Sequence, residues 1–295
     1  YDGTNWSAKP ALATARGDAG GTGTSTAALC FGNVGQGTVT EEFNSSGSVI
    51  TPGAWAAGTN YPTTIQDPAG AGTSATTAII YGGWHTVISN LSAEYNGSSW
   101  TSTPTLNTAR ALYATGTGTQ TAALAASGYD TAPTGATEEW NGSSWTTGTP
   151  MATPRNSVTG GGVQTSALMV GGSGPPNTTA AESYNGSSWT AETAAPDASF
   201  GGKAFSGQSA TSNLIIGETK TWTYNGTSWT DLGHALVQGK TTPAGGSQQG
   251  TTTAALIAGG FTPAPAITTE SQQYDGSAWE LEEEEELVQV RLLLV

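Results

Sequence analysis

The side chains best suited to catalysis or metal binding are few in this chain of 295 residues. It contains one cysteine, Cys30, and two histidines, His85 and His234. A protein metal site needs several converging ligands of matched chemistry, and these residues lie far apart in the chain. Cys30 stands among Ala28, Leu29 and Phe31, which is typical of a small buried hydrophobic residue. We therefore predict no metal ion, no cofactor and no catalytic residue.

Acidic and basic side chains recur at regular intervals along the chain. Four glutamates precede aromatic residues, and three arginines each lie ten residues after a tryptophan: Glu42, Glu94, Glu139, Glu182, Arg16, Arg110 and Arg155. A glycosidase needs two carboxyl groups in different environments, whereas recurrence predicts the same environment each time. The arginines are either an anion-binding ring or structural residues that bond the carbonyls of a neighbouring repeat, and we favour the structural role.

A six-residue phrase defines those intervals. It reads aromatic, Asn or Asp, Gly, Ser or Thr, one variable residue, and Trp, and it occupies residues 1–6, 95–100, 140–145, 184–189, 224–229 and 274–279. A degenerate copy begins at Phe43 and ends at Trp55, so the tryptophans are 49, 45, 45, 44, 40 and 50 residues apart. A period of this length predicts a propeller or another repeat array.

Each repeat also carries a short apolar run closed by glycine, such as residues 167–172. Runs of this kind are typical of strands buried on both faces. Asn-Gly between two aromatic residues indicates a hairpin with a two-residue type I′ turn. We therefore expect four short strands per repeat: one at the arginine, one apolar, and two in the hairpin. Four antiparallel strands with recurring aromatic residues form one propeller blade.

The order of arginine, apolar strand, Gly-Gly, then Tyr and Trp resembles the kelch motif over nearly the whole chain. Gly-Gly is reduced to a single glycine at Gly32, Gly128 and Gly217. The Tyr-Asn-Gly-Ser-Ser-Trp-Thr phrase, with Thr-Ala-Arg and residues 119–124, is similar to kelch-like proteins of tailed bacteriophages, marine ones in particular. This resemblance implies a protein of the virion surface, in a tail fibre or a capsid decoration.

The resulting fold prediction is all-β: a kelch-like propeller of four-stranded blades over residues 1–282. We favour seven blades, with the two chain ends pairing to close the ring, and six is the alternative. Residues 283–295 form an acidic and apolar tail that is a possible closing strand. Because the chain begins inside a repeat, we expect further sequence upstream.

Composition limits the partners of such a propeller. The formal net charge is −14, with only eight Lys and Arg residues, so the basic surface that nucleic acid requires is not expected. The sequence has no signal-peptide pattern and no apolar stretch of about 18 residues, so we predict no membrane insertion. Asn96, Asn141, Asn185 and Asn225 match a glycosylation motif, but the turn already explains each Asn-Gly pair.

Function on a repeat scaffold resides where the repeats differ, in the loops after the glycines. The candidate contact residues there are Trp84, His85, Tyr129 and Phe261, although the rings are equally able to cap the strands beneath them. We expect a non-enzymatic virion protein, present in many copies, that binds host-surface glycan or other virion proteins. The alternatives are a secreted bacterial lectin-like adhesin and a carbohydrate-active or oxidative enzyme on the same fold.

Overall fold

The structure is a computed structural model, and its described part is built of β-strands and connecting segments. The residues it describes are 12, 20–23, 27–31, 40–44, 54–112, 117–174, 177–197, 204–216, 220–233, 236, 252–253, 255–258 and 271–281.

Five antiparallel four-stranded sheets follow one another in the chain, and we call them blades 1 to 5. Blade 1 contains β1 (Gly20–Gly23), β2 (Ala27–Phe31), β3 (Thr40–Asn44) and β4 (Ala54–Ala57). Blade 2 contains β5 (Ala69–Ser74), β6 (Thr77–Tyr81), β9 (Ser92–Tyr95) and β10 (Trp100–Ser102). Between β6 and β9, the strands β7 (Trp84–His85) and β8 (Val87–Ile88) form a separate two-stranded sheet.

The remaining sheets repeat this plan. Blade 3 contains β11 (Thr117–Thr119), β12 (Ala122–Ala126), β13 (Thr137–Trp140) and β14 (Trp145–Thr147). Blade 4 contains β15 (Thr159–Val163), β16 (Ser166–Val170), β17 (Ala181–Tyr184) and β18 (Trp189–Glu192). Blade 5 contains β19 (Ala204–Ser209), β20 (Ser212–Ile216), β21 (Thr221–Tyr224) and β22 (Trp229–Asp231). A three-stranded sheet follows, made of β23 (Ala255–Ala258), β24 (Ser271–Tyr274) and β25 (Trp279–Leu281).

The all-β propeller is therefore confirmed, but the predicted number of blades is wrong. We expected seven four-stranded blades, with six as the alternative, whereas the described residues form five four-stranded sheets and one sheet of three strands. The prediction was based on copies of the hairpin phrase, and each copy indicates only the two outer strands of a blade. A complete blade also needs an innermost strand and an apolar second strand. Residues 1–10 and the tail 283–295, which were to supply a further blade, lie outside the described residues.

The first strand of each blade is innermost, because β1, β5, β11, β15 and β19 contact one another in succession. The apolar second strand lies beside it, and Leu168, Met169 and Val170 of β16 are fully buried. Close packing between blades requires glycine on the innermost strands. A Cβ atom at Gly161 would lie 2.3 Å from the Phe205 ring of the next blade. The first and last sheets are also in contact. Leu12, Cys30 of blade 1 and Ala258 of the three-stranded sheet share one buried cluster, so the three-stranded sheet packs against blade 1.

The Asn-Gly hairpins link the two outer strands as predicted, but their geometry differs from the predicted turn. Trp140 pairs directly with Trp145, so four residues connect the strands instead of two. The Asn141 Oδ1 atom accepts hydrogen bonds from the backbone N–H groups of Ser143 and Ser144, both at 2.9 Å. Gly142 has a φ of +90°, while Asn141 acts through its side chain in an Asx turn. Asn96, Asn185, Asn225 and Asp275 make the same backbone contacts.

A threonine four residues after a hairpin tryptophan fastens successive blades together. After blade 3, the Thr149 hydroxyl donates to the Ser187 carbonyl of blade 4 at 2.8 Å. In return, the Trp189 indole N–H donates to the Thr149 carbonyl at 3.0 Å. Thr59 and Thr193 make the same paired contacts with the next blade. We call this paired contact the threonine clamp.

Candidate binding face

The variable loops of the blades emerge on one face of the propeller. In an antiparallel four-stranded blade, the turns between strands one and two and between strands three and four lie at the same end. The connection from strand two to strand three lies at the opposite end. We call that end the loop face, and its described loops occupy residues 82–91, 127–136 and 171–180, apart from 175–176. The Asn-Gly turns lie on the opposite face.

Two of the four predicted contact residues occupy equivalent positions on the loop face. Trp84 forms a backbone bridge with Gln66, and Tyr129 forms the corresponding bridge with Ala111 in blade 3. Ser173 bridges Asn156 in the same way in blade 4. In each bridge, the residue before the innermost strand donates its backbone N–H to the carbonyl of the loop residue, and the N–O distance is 2.9 Å in all three. The donors are Gln66, Ala111 and Asn156. The ladder between the two inner strands thus extends beyond the sheet and fixes where each loop begins.

The other predicted contact residues have different positions. His85 follows Trp84 in β7, and its Nδ1 atom lies 2.9 Å from the hydroxyl of Thr64. Phe261 and His234 lie outside the described residues. Tyr129 is only partly exposed. The structure therefore brings Trp84, His85 and Tyr129 to one face of two adjacent blades.

The loop of blade 2 differs from its neighbours because it forms the β7–β8 hairpin, with Thr86 at the turn and a φ of +46°. The exposed fractions of Trp84, Val87 and Leu91 are 39%, 66% and 39%. These three are the large hydrophobic residues that are exposed within the described part of the chain. The sequence pattern indicated Trp84 but not Val87 or Leu91, although all three lie in one uncharged segment.

Hydrogen bonds from the link between blades 2 and 3 hold this loop in place. The Gly83 N–H donates to the Arg110 carbonyl at 2.9 Å, and the Arg110 N–H donates to the Ser89 carbonyl at 3.1 Å. Asn90 adds two contacts with Leu106: its carbonyl accepts from the Leu106 N–H at 2.9 Å, and its side-chain amide donates to the Leu106 carbonyl at 3.2 Å. The loop of blade 2 is therefore anchored by the next blade.

The Arg110 side chain is fully buried and ion-paired with Glu138. Its guanidinium also donates to the carbonyls of Ser127 at 3.1 Å and Ala125 at 3.2 Å. Both carbonyls belong to the arginine's own blade, so the predicted side-chain bonding of a neighbouring blade's carbonyls is wrong. The main chain of Arg110 makes the contact with the neighbouring blade instead.

Arg155 has the same role in blade 4. Its guanidinium lies 3.3 Å from the Glu182 carboxylate and donates to the carbonyls of Ala180 and Met169. Burial lowers the pKa of Arg155, and the charge of Glu182 opposes that shift. Glu182 also accepts from the Ala152 N–H at 2.8 Å. Arg16, the third arginine of the set, lies outside the described residues.

The other glutamates of the predicted set lie between blades. Glu42 accepts from the Tyr95 hydroxyl of blade 2, and Glu139 accepts from the Tyr184 hydroxyl of blade 4 at 2.8 Å. Burial raises the pKa of Tyr95 to about 12, and the Glu42 carboxylate adds to the shift. Burial also raises the pKa of Glu94, and a hydrogen bond with the Trp140 indole opposes this rise. These carboxylates thus have structural partners in the scaffold.

Within the described residues, no group of three or more His, Cys, Asp and Glu side chains is placed to hold a metal ion. The described residues also include no helix with the length and apolar character needed to cross a membrane.

The sheet topology and the succession of innermost strands define a β-propeller. The solved structure of YjhT has this shape: the two superpose with a TM-score of 0.73 at 12% sequence identity, covering 93% of this chain and 99% of the other. At that identity the likeness shows the fold alone. No protein-family model matches the chain, and no curated protein matches it.

Proposed function

We propose that this protein is a non-enzymatic binding protein of the tailed-phage virion surface, built on a kelch-like propeller and present in many copies. Its loop face binds host-surface glycan or other virion subunits. The carrying observation is that Trp84, Tyr129 and Ser173 start their loops from equivalent backbone positions in three successive blades. The scaffold repeats while these side chains differ, which is typical of a binding surface on a repeat protein.

The electrostatics of the scaffold support binding through uncharged groups. Arg110 and Arg155 lie beneath the loop face, but both are buried and paired with glutamate. With a formal net charge of −14, the chain repels polyanions. Aromatic rings and hydroxyl groups on the loops are suited to stacking and hydrogen bonding. Binding by such contacts weakens little with added salt, because salt screens charged interactions.

The virion setting rests on the resemblance of the repeat phrase to kelch-like phage proteins. Shallow uncharged contacts leave little affinity after the costs of association. Many copies on one particle supply the missing affinity through avidity.

The test compares the monomer with a streptavidin-linked tetramer on glycan arrays, host cells and purified particles, at 50 and 500 mM salt. We expect weak monomer binding, much tighter tetramer binding, and little dependence on salt. The double variant Trp84→Ser with Tyr129→Ser should abolish binding of the tetramer. The matched control changes Thr101, Thr146 and Thr190, which are exposed on the outer strands, to serine. Tight monomer binding that collapses with salt and survives the loop changes would contradict the proposal.

A further inference from the structure

The exposed hydrophobic residues of the described chain are concentrated in one loop. Trp84, Val87 and Leu91 all lie within residues 82–91. The corresponding loop of blade 3 carries only the partly exposed Tyr129 at the position of Trp84, and blade 4 carries Ser173 there. Large hydrophobic side chains grouped on a surface mark sites of interaction. The three blades thus share a backbone plan, and within their described residues only blade 2 presents a hydrophobic protrusion.

The charge and chemistry of this loop favour a protein over a sugar. Residues 82–93 contain no Asp, Glu, Lys or Arg, although the chain carries a net charge of −14. The centres of protein interfaces are depleted in charge and enriched in tryptophan. A sugar ring would cover Trp84, but Val87 and Leu91 have no group that could bond its hydroxyls. Burying hydroxyl groups without partners is costly.

The loop is also held in one geometry before any partner arrives. Backbone contacts with Arg110 and Leu106 tie both of its ends to the link between blades 2 and 3. The pairs Trp84–Ile88 and His85–Val87 fix its middle as a hairpin. A preorganised element loses less conformational freedom on binding than a flexible one.

We propose that the hairpin loop 82–91 inserts between apolar side chains of an uncharged segment of a partner protein, with Trp84, Val87 and Leu91 as the contact side chains. This inference rests on the proposed function and specifies the partner class of the loop face. The hairpin register places Trp84 and Val87 on opposite faces of the protrusion. The three side chains together expose on the order of 300 Å², whereas a stable complex buries about 800 Å² on each partner. One hairpin therefore binds weakly, and several copies are needed for a lasting attachment.

The experiment pans a yeast-displayed library of random 12-residue peptides against the streptavidin-linked full chain. A glycan array is probed with the same reagent. The test variant carries Trp84→Ser, Val87→Ser and Leu91→Ser, and the control carries serine at Thr101, Thr146 and Thr190. Circular dichroism melting curves of both variants are compared with wild type to establish that they fold.

We expect enriched peptides rich in aromatic and aliphatic residues, with binding to the triple loop variant weakened at least tenfold and binding to the control unchanged. If peptides bind the loop variant as well as wild type, the docking inference is wrong. If no peptide is enriched while glycans, cells or particles bind the wild type and not the loop variant, the inference is wrong and the proposed function stands. If neither peptides, glycans, cells nor particles bind, both are wrong.

Discussion

Blades 2 and 3 fill one buried position with opposite chemistry. Blade 3 places Arg110 ten residues after Trp100 and pairs it with Glu138. Blade 2 places Ile65 ten residues after Trp55, and Ala93 takes the position of the glutamate. Ile65 and Ala93 belong to the same buried hydrophobic cluster. The same buried position thus holds an ion pair in blade 3 and an apolar pair in blade 2, and neither blade mixes members of the two pairs.

This comparison indicates what the buried pair contributes. Removing two charges from water is costly, and a well-packed apolar pair often replaces a buried ion pair without loss of stability. One backbone bridge beside the position is the same in both blades, although Glu138 also accepts from the N–H groups of Asn107 and Thr108, which Ala93 cannot do. The Gln66 bridge to Trp84 in blade 2 corresponds to the Ala111 bridge to Tyr129 in blade 3. The arginine is therefore not needed to shape the loop face, but once present it needs its glutamate.

The largest expected effect comes from breaking one member of the pair. Glu138→Ala should lower the free energy of unfolding by about 3 to 5 kcal/mol, because it leaves the buried Arg110 without its counter-charge. The double change Arg110→Ile with Glu138→Ala copies the side chains of blade 2 and leaves no buried charge, so it should lose less stability than Glu138→Ala alone. Urea unfolding of the wild type, both single variants and the double variant completes the cycle. A loss in the double variant equal to the sum of the two single losses would show that the two residues are not coupled.

Much of the scaffold follows from the sequence because its signals are local. Within the described residues, the hairpin tryptophans, the apolar second strands and the glycines that follow them lie where the phrase and the apolar runs place them. The turn geometry was missed because Asn141 acts through its side-chain oxygen, which the Asn-Gly pattern alone does not distinguish from a left-handed backbone. The own-blade bonding of Arg110 was missed because its partner, Glu138, is 28 residues away in the chain.

The loop face was predicted less completely than the scaffold. Trp84 and Tyr129 were found because they follow the glycines directly. Val87 and Leu91 were missed because hydrophobic residues are ordinarily buried, and only the β7–β8 hairpin turns this segment outward. The threonine clamp has a sequence signal, a Thr four residues after the hairpin Trp, but its meaning depends on contacts between blades.

The clamp gives a second contrast between the same two blades. Trp100 of blade 2 donates to the Thr59 carbonyl at 2.9 Å, and the Thr59 hydroxyl donates to the Ser98 carbonyl at 2.5 Å. Before blade 3 the clamp position is Pro104, and the buried Trp145 indole N–H has no hydrogen-bond partner among the described residues. Thr59→Val should therefore cost about 0.5 to 1.5 kcal/mol, the net worth of one hydrogen bond.

Thr101→Val, on the exposed outer strand of blade 2, is the matched control in the same urea experiment. It should leave the unfolding midpoint unchanged. A Thr59→Val variant as stable as this control would mean that the clamp contributes no net stability.

A smaller effect is expected where blade 3 has serine in place of glycine. Ser127 has a φ of +65°, close to the +66° of Gly82 at the equivalent position in blade 2, and its buried hydroxyl has no hydrogen-bond partner within the part of the chain that the structure describes. Ser127→Gly should raise the unfolding free energy by about 0.5 to 1 kcal/mol, because relief of left-handed strain exceeds the entropic cost of glycine. The reverse change, Gly82→Ser, should destabilise the protein, since its Cβ would lie 2.8 Å from the Arg110 carbonyl. Melting temperatures of the two variants should move in opposite directions, and a shift of both in one direction would contradict the strain argument.

The smallest expected effect is a difference in pH dependence between Tyr95 of blade 2 and Trp140, which holds the same position in blade 3. Burial and the hydrogen bond to Glu42 raise the pKa of Tyr95 to about 12, whereas an unfolded tyrosine titrates near pH 10. The folded state therefore holds this proton more tightly. Its contribution to stability is complete below pH about 10 and is lost as the pH rises toward 12.

Tyr95→Phe removes the ionising group, so the urea midpoint should fall less steeply from pH 9 to 11.5 than in wild type. Trp140→Phe, which changes a residue that does not ionise, should keep the wild-type slope. If Tyr95→Phe and wild type lose stability in parallel over this range, the Tyr95 hydroxyl does not couple folding to alkaline pH.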